Sequence, residues 1–258
     1  MRLNIDVVMD YQLNGPAPVL LTVETAPIPD QAILHSTLEI LNASHRHMPG
    51  EGGIGQRIWA DVTNDRLNLR YVADVEITRA DIALDRLVQS DWQDLPPEVL
   101  SYLRPSRFCP SDLFAPYVAK SFGHLEGGAK AAAIRDWVAK SITYVPGSSD
   151  AATCANDTFL SREGVCRDFA HLVCTLMRAA QIPARYTSGY APGVTPPDFH
   201  AVAEVWLDGA WHVVDATGMS TGSDLAIIGA GRDASDVAFM ETQAPAFPVY
   251  QNLIITRR

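Results

Sequence analysis

Three residues in the second half of the chain have the types and spacing needed for nucleophilic catalysis: Cys166, His200 and Asp215. A thiolate attacks carbonyl carbon, an imidazole moves the proton, and a carboxylate orients the imidazole. Cys166 follows Gly164 at the predicted start of a helix, where the helix dipole and unpaired amides favour a thiolate. By position alone, Cys166 could equally be a small core residue.

His200 and Asp215 are predicted on two strands joined by a tight turn. The pair Asp208-Gly209 is a strong signal for a two-residue hairpin. His200 lies eight residues before the turn and Asp215 six after it, so the register predicts that they face each other at the open end of the hairpin. There the carboxylate can hold one ring nitrogen and orient the other toward sulfur. Taken singly, each residue is more often a surface histidine or a capping aspartate.

The elements around these residues predict an α+β domain over residues 106–258. Helical periodicity covers 112–122, 129–142 and about 164–181, where Pro183 ends the last helix. Strands are predicted at 184–191, 200–207 and 210–217, with a final strand at 249–256. Helices followed by an antiparallel sheet are typical of the α+β class.

The first 105 residues predict an N-terminal antiparallel β-sandwich. Strand-like alternation covers 3–13, 17–26, 33–42 and 66–78, with Gly, Pro, Asn and Asp breaks between them. His45 and His47 are expected in an exposed loop without function. A segment with four prolines, residues 95–110, marks the boundary to the second domain.

Composition and charge restrict the class of partner. The 258 residues are 47% hydrophobic and 19% charged with a formal net charge of −10, which disfavours nucleic acid or an anionic membrane as the partner. No apolar run approaches a membrane span, and the first ten residues are interpreted as a strand and not a signal peptide. A cytoplasmic location is therefore expected, with thiols and not disulfides. His171 and Cys174 are weak evidence for a metal, so no metal or cofactor is predicted; the oligomeric state stays open.

The same residues resemble the bacterial transglutaminase-like superfamily. The segments that carry the resemblance, in chain order, are Tyr102–Ser106, Gly164–His171, Ile182–Arg185, Ser188–Tyr190, His200–Val205, Trp211–Thr217, Gly231–Asp233 and Asp236–Val237. Together with the N-terminal strands they extend over nearly the whole chain. The resemblance implies a papain-like core, helices packed on an antiparallel sheet, a Cys166-His200-Asp215 triad and acyl-transfer chemistry on amides.

Two positions depart from that family pattern. Val202 stands where the family usually has Trp, which is expected to reshape the acyl pocket, and Ala216 replaces Pro beside Asp215. The Cys166 amide is the expected oxyanion donor, with a second donor sought within 155–158. The segment 167–168 is expected to form a salt bridge or to orient the nucleophile.

The function expected from the sequence is hydrolysis of a peptide or other amide bond through a thioester acyl-enzyme. Hydrolysis is favoured over transfer because water reacts unless a site excludes it. No acidic loop resembles a regulatory calcium site. Two alternatives stay open: a protein-glutamine acyltransferase, and a peptide- or partner-binding module that kept the fold without turnover.

Overall fold

The computed structural model describes all residues, 1–258, as fourteen strands and four α-helices. The strands are β1 (Arg2–Gln12), β2 (Ala17–Leu21), β3 (Gln31–Leu41), β4 (Ala43–Pro49), β5 (Gln56–Val62), β6 (Arg66–Ile77), β7 (Thr143–Tyr144), β8 (Glu163–Gly164), β9 (Ala184–Tyr190), β10 (His200–Leu207), β11 (Ala210–Val214), β12 (Ala226–Gly231), β13 (Met240–Thr242) and β14 (Phe247–Arg257). The helices are α1 (Ala115–Phe122), α2 (Gly127–Ser141), α3 (Ala155–Ser161) and α4 (Cys166–Ala179). No helix combines the length and apolar character that crossing a bilayer requires. The predicted α+β class is confirmed.

Two four-stranded antiparallel sheets form a sandwich at the start of the chain. Their strand orders are β14-β1-β6-β3 and β13-β2-β5-β4. In β1 every second side chain is fully buried, from Leu3 through Ile5 and Val7 to Met9. This period of two directs one face of the sheet inward, where each large apolar side chain contributes about 1.5–3 kcal/mol.

The last two strands belong to the sandwich, which corrects their assignment to the second domain. β14 runs antiparallel to β1 from Leu3↔Arg257 to Gln12↔Phe247, and β13 pairs with β2. Residues 240–257 therefore leave the predicted 106–258 unit, while the boundary near residue 105 stays a prediction. A strand's pattern reports burial and not its partner, so pairing across more than 200 positions was not predictable.

One further element differs from its prediction. His45 and His47 lie in β4, which pairs with β5, and not in a loop. Most side chains of β4 are exposed on both faces, so the strand lacks the alternation by which strands are recognised.

The second half is built on the sheet β11-β10-β9-β12, with α4 packed against it. The predicted helix at 164–181 is observed at 166–179. Its buried stripe, including Leu172, Val173 and Leu176, shares a core with Ala203 and Val205 of β10. This packing brings the first residue of the helix to the end of the sheet at which β10 begins.

Arg178, in the last turn of α4, is fully buried and joins four separate segments. Its guanidinium donates to the carbonyl oxygens of Ala184 at 2.9 Å and Arg104 at 3.3 Å, to the Ser106 hydroxyl at 3.1 Å, and to the carbonyl of Arg232. A buried charge is tolerated when its donors are satisfied, so these bonds fix α4 relative to the connector and to β9.

Candidate active site

Cys166 is the first residue of α4, and the turn before it is closely fitted. A Cβ at Gly164 would lie 2.8 Å from the Cβ of Asp168, so only glycine fits there. Asp168 is buried and accepts a hydrogen bond of 2.9 Å from the Val165 amide, which caps the helix. Arg167 pairs with Asp168 at 3.2 Å and also donates to the carbonyls of the loop at 150–153. The salt bridge expected between these two residues is therefore present, and Arg167 also links the start of α4 to the loop at 150–153.

The thiol of Cys166 is half-buried beside the segment that leads into β10. Its Sγ lies 3.9 Å from the carbonyl oxygen of Phe199, the residue before His200. The amide of Cys166 donates no hydrogen bond to another backbone group, as expected for the first turn of a helix. The site thus presents a thiol beside a backbone N–H that the helix itself does not use.

The hairpin brings the side chains of His200 and Asp215 together, although they lie diagonally across the hairpin and not directly opposite each other as the register argument expected. Nε2 of His200 lies 2.8 Å from Oδ2 of Asp215, and both side chains are almost fully buried. The pairing of Ala203 with Val214, continued outward, sets Asp215 diagonally across from His200 on one face. Because Nε2 is occupied by the carboxylate, Nδ1, which is buried and has no other partner, is the nitrogen left for Cys166.

Four further donors hold the Asp215 carboxylate. It accepts hydrogen bonds from the Thr217 amide at 2.8 Å and hydroxyl at 2.6 Å, and from the Ser220 amide at 2.9 Å and hydroxyl at 2.8 Å. Burial raises its pKa, but these bonds and the interaction with His200 outweigh burial and hold the pKa below its usual range. The sequence reasoning missed Ser220; hydroxyl residues closely following an aspartate are the available signal, because they form local turns around it.

The electrostatics of the site favour a charged imidazole. Burial by itself lowers the pKa of His200. The hydrogen bond with Asp215 and the interaction with Cys166 outweigh it and raise the pKa to about 9. A protonated His200 is therefore held between the carboxylate and the sulfur near neutral pH.

A cleft of about 770 Å³ opens onto Cys166 and His200. Arg107 and Arg167 line it, as do Phe199 and Phe239, whose rings stack 4.6 Å apart. The residues of β13 line it too, so the sandwich contributes one wall. The cleft therefore combines surfaces from both parts of the chain.

Two expectations about the surroundings are corrected. Val202 is buried in a cluster with Val194, Leu225 and Ile227 and does not line the cleft. The Val that stands here in place of the family's usual Trp therefore does not form part of this pocket. Residues 155–158 form the first turn of α3, also outside the cleft lining. A short polar segment has the same composition in a turn and at a helix start, so its sequence does not show which of the two it forms.

Tyr144 is 22 residues before Cys166 in the chain but lies beside the segment that leads to it. Its strand pairs in parallel with β8, which sets Tyr144 opposite Gly164. Burial and the charge of Cys166 raise the pKa of Tyr144 to about 12, so its hydroxyl stays protonated near neutral pH.

The remaining cysteines are set apart from this site. Cys109 and Cys174 are fully buried, and Cys154 is partly exposed. His171 lies between the rings of Phe108 and Tyr186, and burial lowers its pKa to about 3, so it is a neutral core residue. No group of three or more His, Cys, Asp or Glu side chains is arranged to hold a metal ion.

The closing loop is anchored by two acidic residues. Arg232 pairs with Asp236 at 3.0 Å, while Asp233 accepts hydrogen bonds from the Phe108 amide at 3.0 Å and from Ser235. Burial of Asp233 is outweighed by these donors, which lower its pKa to about 2. These contacts hold residues 231–236 against the connector beside the cleft.

Comparison with known proteins yields one family match and several relatives. Residues 117–216 match the transglutaminase-like superfamily. A crystal structure of a protein from Cytophaga hutchinsonii, provisionally named a cysteine protease, is 32% identical, with a TM-score of 0.92 over 99% of this chain and 90% of that one.

Curated relatives match only in part. An uncharacterized protein of Mycobacterium leprae is 31% identical over 53% of this chain and 52% of its own length. An uncharacterized protein of Mycobacterium tuberculosis is 34% identical over 37% of this chain and 35% of its own. The chain thus spans about half or less of these two relatives. The agreement in sequence and fold over nearly the full length of the Cytophaga hutchinsonii protein, together with the family match, shows that this chain belongs to the transglutaminase-like superfamily.

Proposed function

We propose that the chain is a cysteine hydrolase that cleaves peptide or other amide bonds through a thioester on Cys166. One observation carries the proposal: the Nε2 atom of His200 is held by Asp215 at 2.8 Å, which leaves Nδ1 for the sulfur. His171, a core residue, also has a buried ring nitrogen without a hydrogen bond, so the free nitrogen alone does not distinguish His200. What distinguishes it is the Asp215 carboxylate on the other ring nitrogen and its position beside a half-buried thiol in a shared cleft. The provisional name of the Cytophaga hutchinsonii relative supports the same class.

The proposed reaction has two stages. The Cys166 thiolate attacks the amide carbon, and the His200 imidazolium donates its proton to the nitrogen as the C–N bond breaks, releasing the amine. Water then attacks the thioester carbon, His200 takes up a proton, and the C–S bond breaks to give the acid and the thiolate. Asp215 keeps the imidazole oriented and stabilises its charge throughout.

Negative charge on the carbonyl oxygen needs two donors in this proposal. The amide of Cys166, which donates to no other backbone group, supplies the first. We assign the second to the Tyr144 hydroxyl because β7 pairs with β8 beside the nucleophile segment and this hydroxyl stays protonated, although Tyr144, like residues 155–158, is not among the residues that line the cleft. Removing one such donor typically costs about 10²–10³ in kcat, so Tyr144→Phe distinguishes this assignment from a packing role.

Transfer to an amine is the alternative fate of the same thioester. The test is turnover of a library of fluorogenic peptide amides, with and without added glycine methyl ester as acyl acceptor. We expect release of the acid without the acceptor, loss of turnover in Cys166→Ala, and unchanged turnover in Cys154→Ala. Product formed only with the acceptor would identify an acyltransferase. If Cys166→Ala turned over any library member like the wild type, the thioester proposal would fail.

A further inference from the structure

The strand β13 has a free edge in the wall of the cleft. It pairs with β2 on one side, and no strand lies on its other side. All three of its residues line the cleft that opens onto Cys166 and His200. A sheet edge within reach of a nucleophile is unusual, because proteins normally cover or blunt such edges.

The pairing with β2 decides which backbone groups are free. The Thr22 amide donates to the Phe239 carbonyl at 3.0 Å, so this is a hydrogen-bonded pair of the antiparallel ladder. Hydrogen-bonded pairs alternate with non-hydrogen-bonded pairs along an antiparallel ladder. The next hydrogen-bonded pair is therefore Glu241 with Leu20 of β2. Met240 and Thr242 fall between them, so their N–H and C=O groups are directed away from β2. Neither residue makes a backbone hydrogen bond outside the ladder.

We propose that β13 recognises an extended segment of the substrate peptide by main-chain pairing, which extends the sandwich sheet into the cleft. This inference rests on the proposed hydrolysis and specifies its substrate class: an unfolded or extended polypeptide, and not a small amide. Strand addition of this kind takes affinity from backbone hydrogen bonds and specificity from pockets for alternate side chains. The stacked rings of Phe199 and Phe239 form an apolar wall for one such side chain.

The test compares two thiol reagents with the same reactive group. Chloroacetone and acetyl-tetraalanyl chloromethyl ketone both alkylate Cys166: sulfur bonds to the methylene carbon and chloride leaves. We expect the peptide reagent to label Cys166 on the order of ten-fold faster or more, because two or three backbone hydrogen bonds to β13 hold it in the cleft. Methylation of the peptide nitrogens one at a time should remove this advantage at every second position only.

A variant tests the protein side of the same contact. Thr242→Pro removes one outward N–H and leaves the pairing of Glu241 intact, and proline is tolerated at a strand edge. We expect it to reduce the ratio of peptide-reagent labelling to chloroacetone labelling severalfold, while the matched Thr242→Ala keeps this ratio. If Thr242→Pro does not fold, the methylated peptide reagents applied to the wild-type protein still test whether the peptide pairs with β13.

The outcomes separate the two proposals. Equal rates for both reagents, or an advantage insensitive to methylation, would overturn the inference and leave the hydrolase intact. A dimer that disappears in Thr242→Pro, seen by light scattering, would show that the edge pairs with a second copy instead. Failure of chloroacetone to label Cys166 at all would remove the reactive nucleophile, and with it both proposals.

Discussion

The side-chain amide of Gln251, on the last strand of the chain, donates a hydrogen bond of 2.8 Å to Asp198, two residues before His200. The same Gln251 accepts a hydrogen bond of 2.6 Å from the hydroxyl of Tyr11 on β1. The rings of Phe199 and Phe239 stack beside this contact. The sandwich therefore braces the loop that delivers the imidazole, which gives the N-terminal strands a part in positioning the site.

Removing that brace should weaken catalysis more than folding. In Gln251→Ala we expect kcat/KM to fall about five-fold, which corresponds to the ~1 kcal/mol of a typical hydrogen bond. Asn252→Ala, on the same strand and without a side-chain hydrogen bond, is the matched control and should be neutral. The measurement is turnover alongside the urea midpoint. An equal loss in both variants, or a loss explained by unfolding, would show that the contact is only structural.

Cys166 should be the cysteine that reacts first with iodoacetamide at neutral pH. Cys166 is half-buried at a helix start beside the segment that carries His200, surroundings in which thiols are reactive, while Cys109 and Cys174 are shielded by burial. Cys154 is the relevant competitor, since it is partly exposed but has no histidine partner. We expect peptide mapping to show Cys166 modified at least about ten-fold faster than Cys154.

Two variants check the cause of that reactivity. His200→Ala should slow labelling of Cys166 without affecting Cys154, and Asp215→Asn should slow it less, because the carboxylate only orients and stabilises the imidazolium. Labelling of Cys154 first, with Cys166 inert until denaturation, would make Cys166 a core residue.

The pH dependence of turnover should have its upper limit near pH 9. The folded pKa of His200 is raised to about 9 from an ordinary 6.5, so the protonated form persists through neutral pH and is lost as the pH rises through about 9. The stability contributed by this group is accordingly full below about pH 6.5 and declines between 6.5 and 9. We expect kcat/KM to fall above pH 9, because the leaving amine then lacks its acid.

Alkylation provides the control for this pH profile. Iodoacetamide labelling of Cys166 needs the thiolate but no proton donor, so it should not decline above pH 9. A parallel decline of turnover and alkylation would point to unfolding or to loss of the nucleophile. A kcat/KM that stays level to pH 10.5 would contradict the role of His200 as general acid.

Arg178 should be among the most costly residues to replace for stability. Arg178→Met leaves the carbonyls of Ala184, Arg104 and Arg232 without their donor, and we expect a loss of about 3–5 kcal/mol in the free energy of unfolding. Arg135→Met is the matched control: this arginine is partly exposed, pairs only with its neighbour Asp136, and should cost less than about 1 kcal/mol. Urea denaturation measures both. A cost below about 1 kcal/mol for Arg178→Met would mean that water replaces the lost donors.

Much of the candidate site was predictable because its signals are local. The start of α4 follows from Gly164 and a period of 3.6, and the hairpin follows from Asp208-Gly209, whose register places His200 and Asp215 diagonally on one face at the same end. Each of these depends on residues within about one element of the group it positions, so the chain carries the information locally.

Other features depend on contacts between distant segments, and only the tertiary structure decided them. β14 joins β1 across the whole chain, and β13 becomes a wall of the cleft. A burial pattern indicates which face of a strand is covered, but not which segment covers it. The contact of Gln251 with Asp198 and the free edge at Thr242 therefore could not be predicted from any local pattern. The sequence by itself determined which residues could react and which elements carry them; the packing of the sandwich against the helical core determined what surrounds them, because hydrogen-bond partners are chosen in three dimensions and not along the chain.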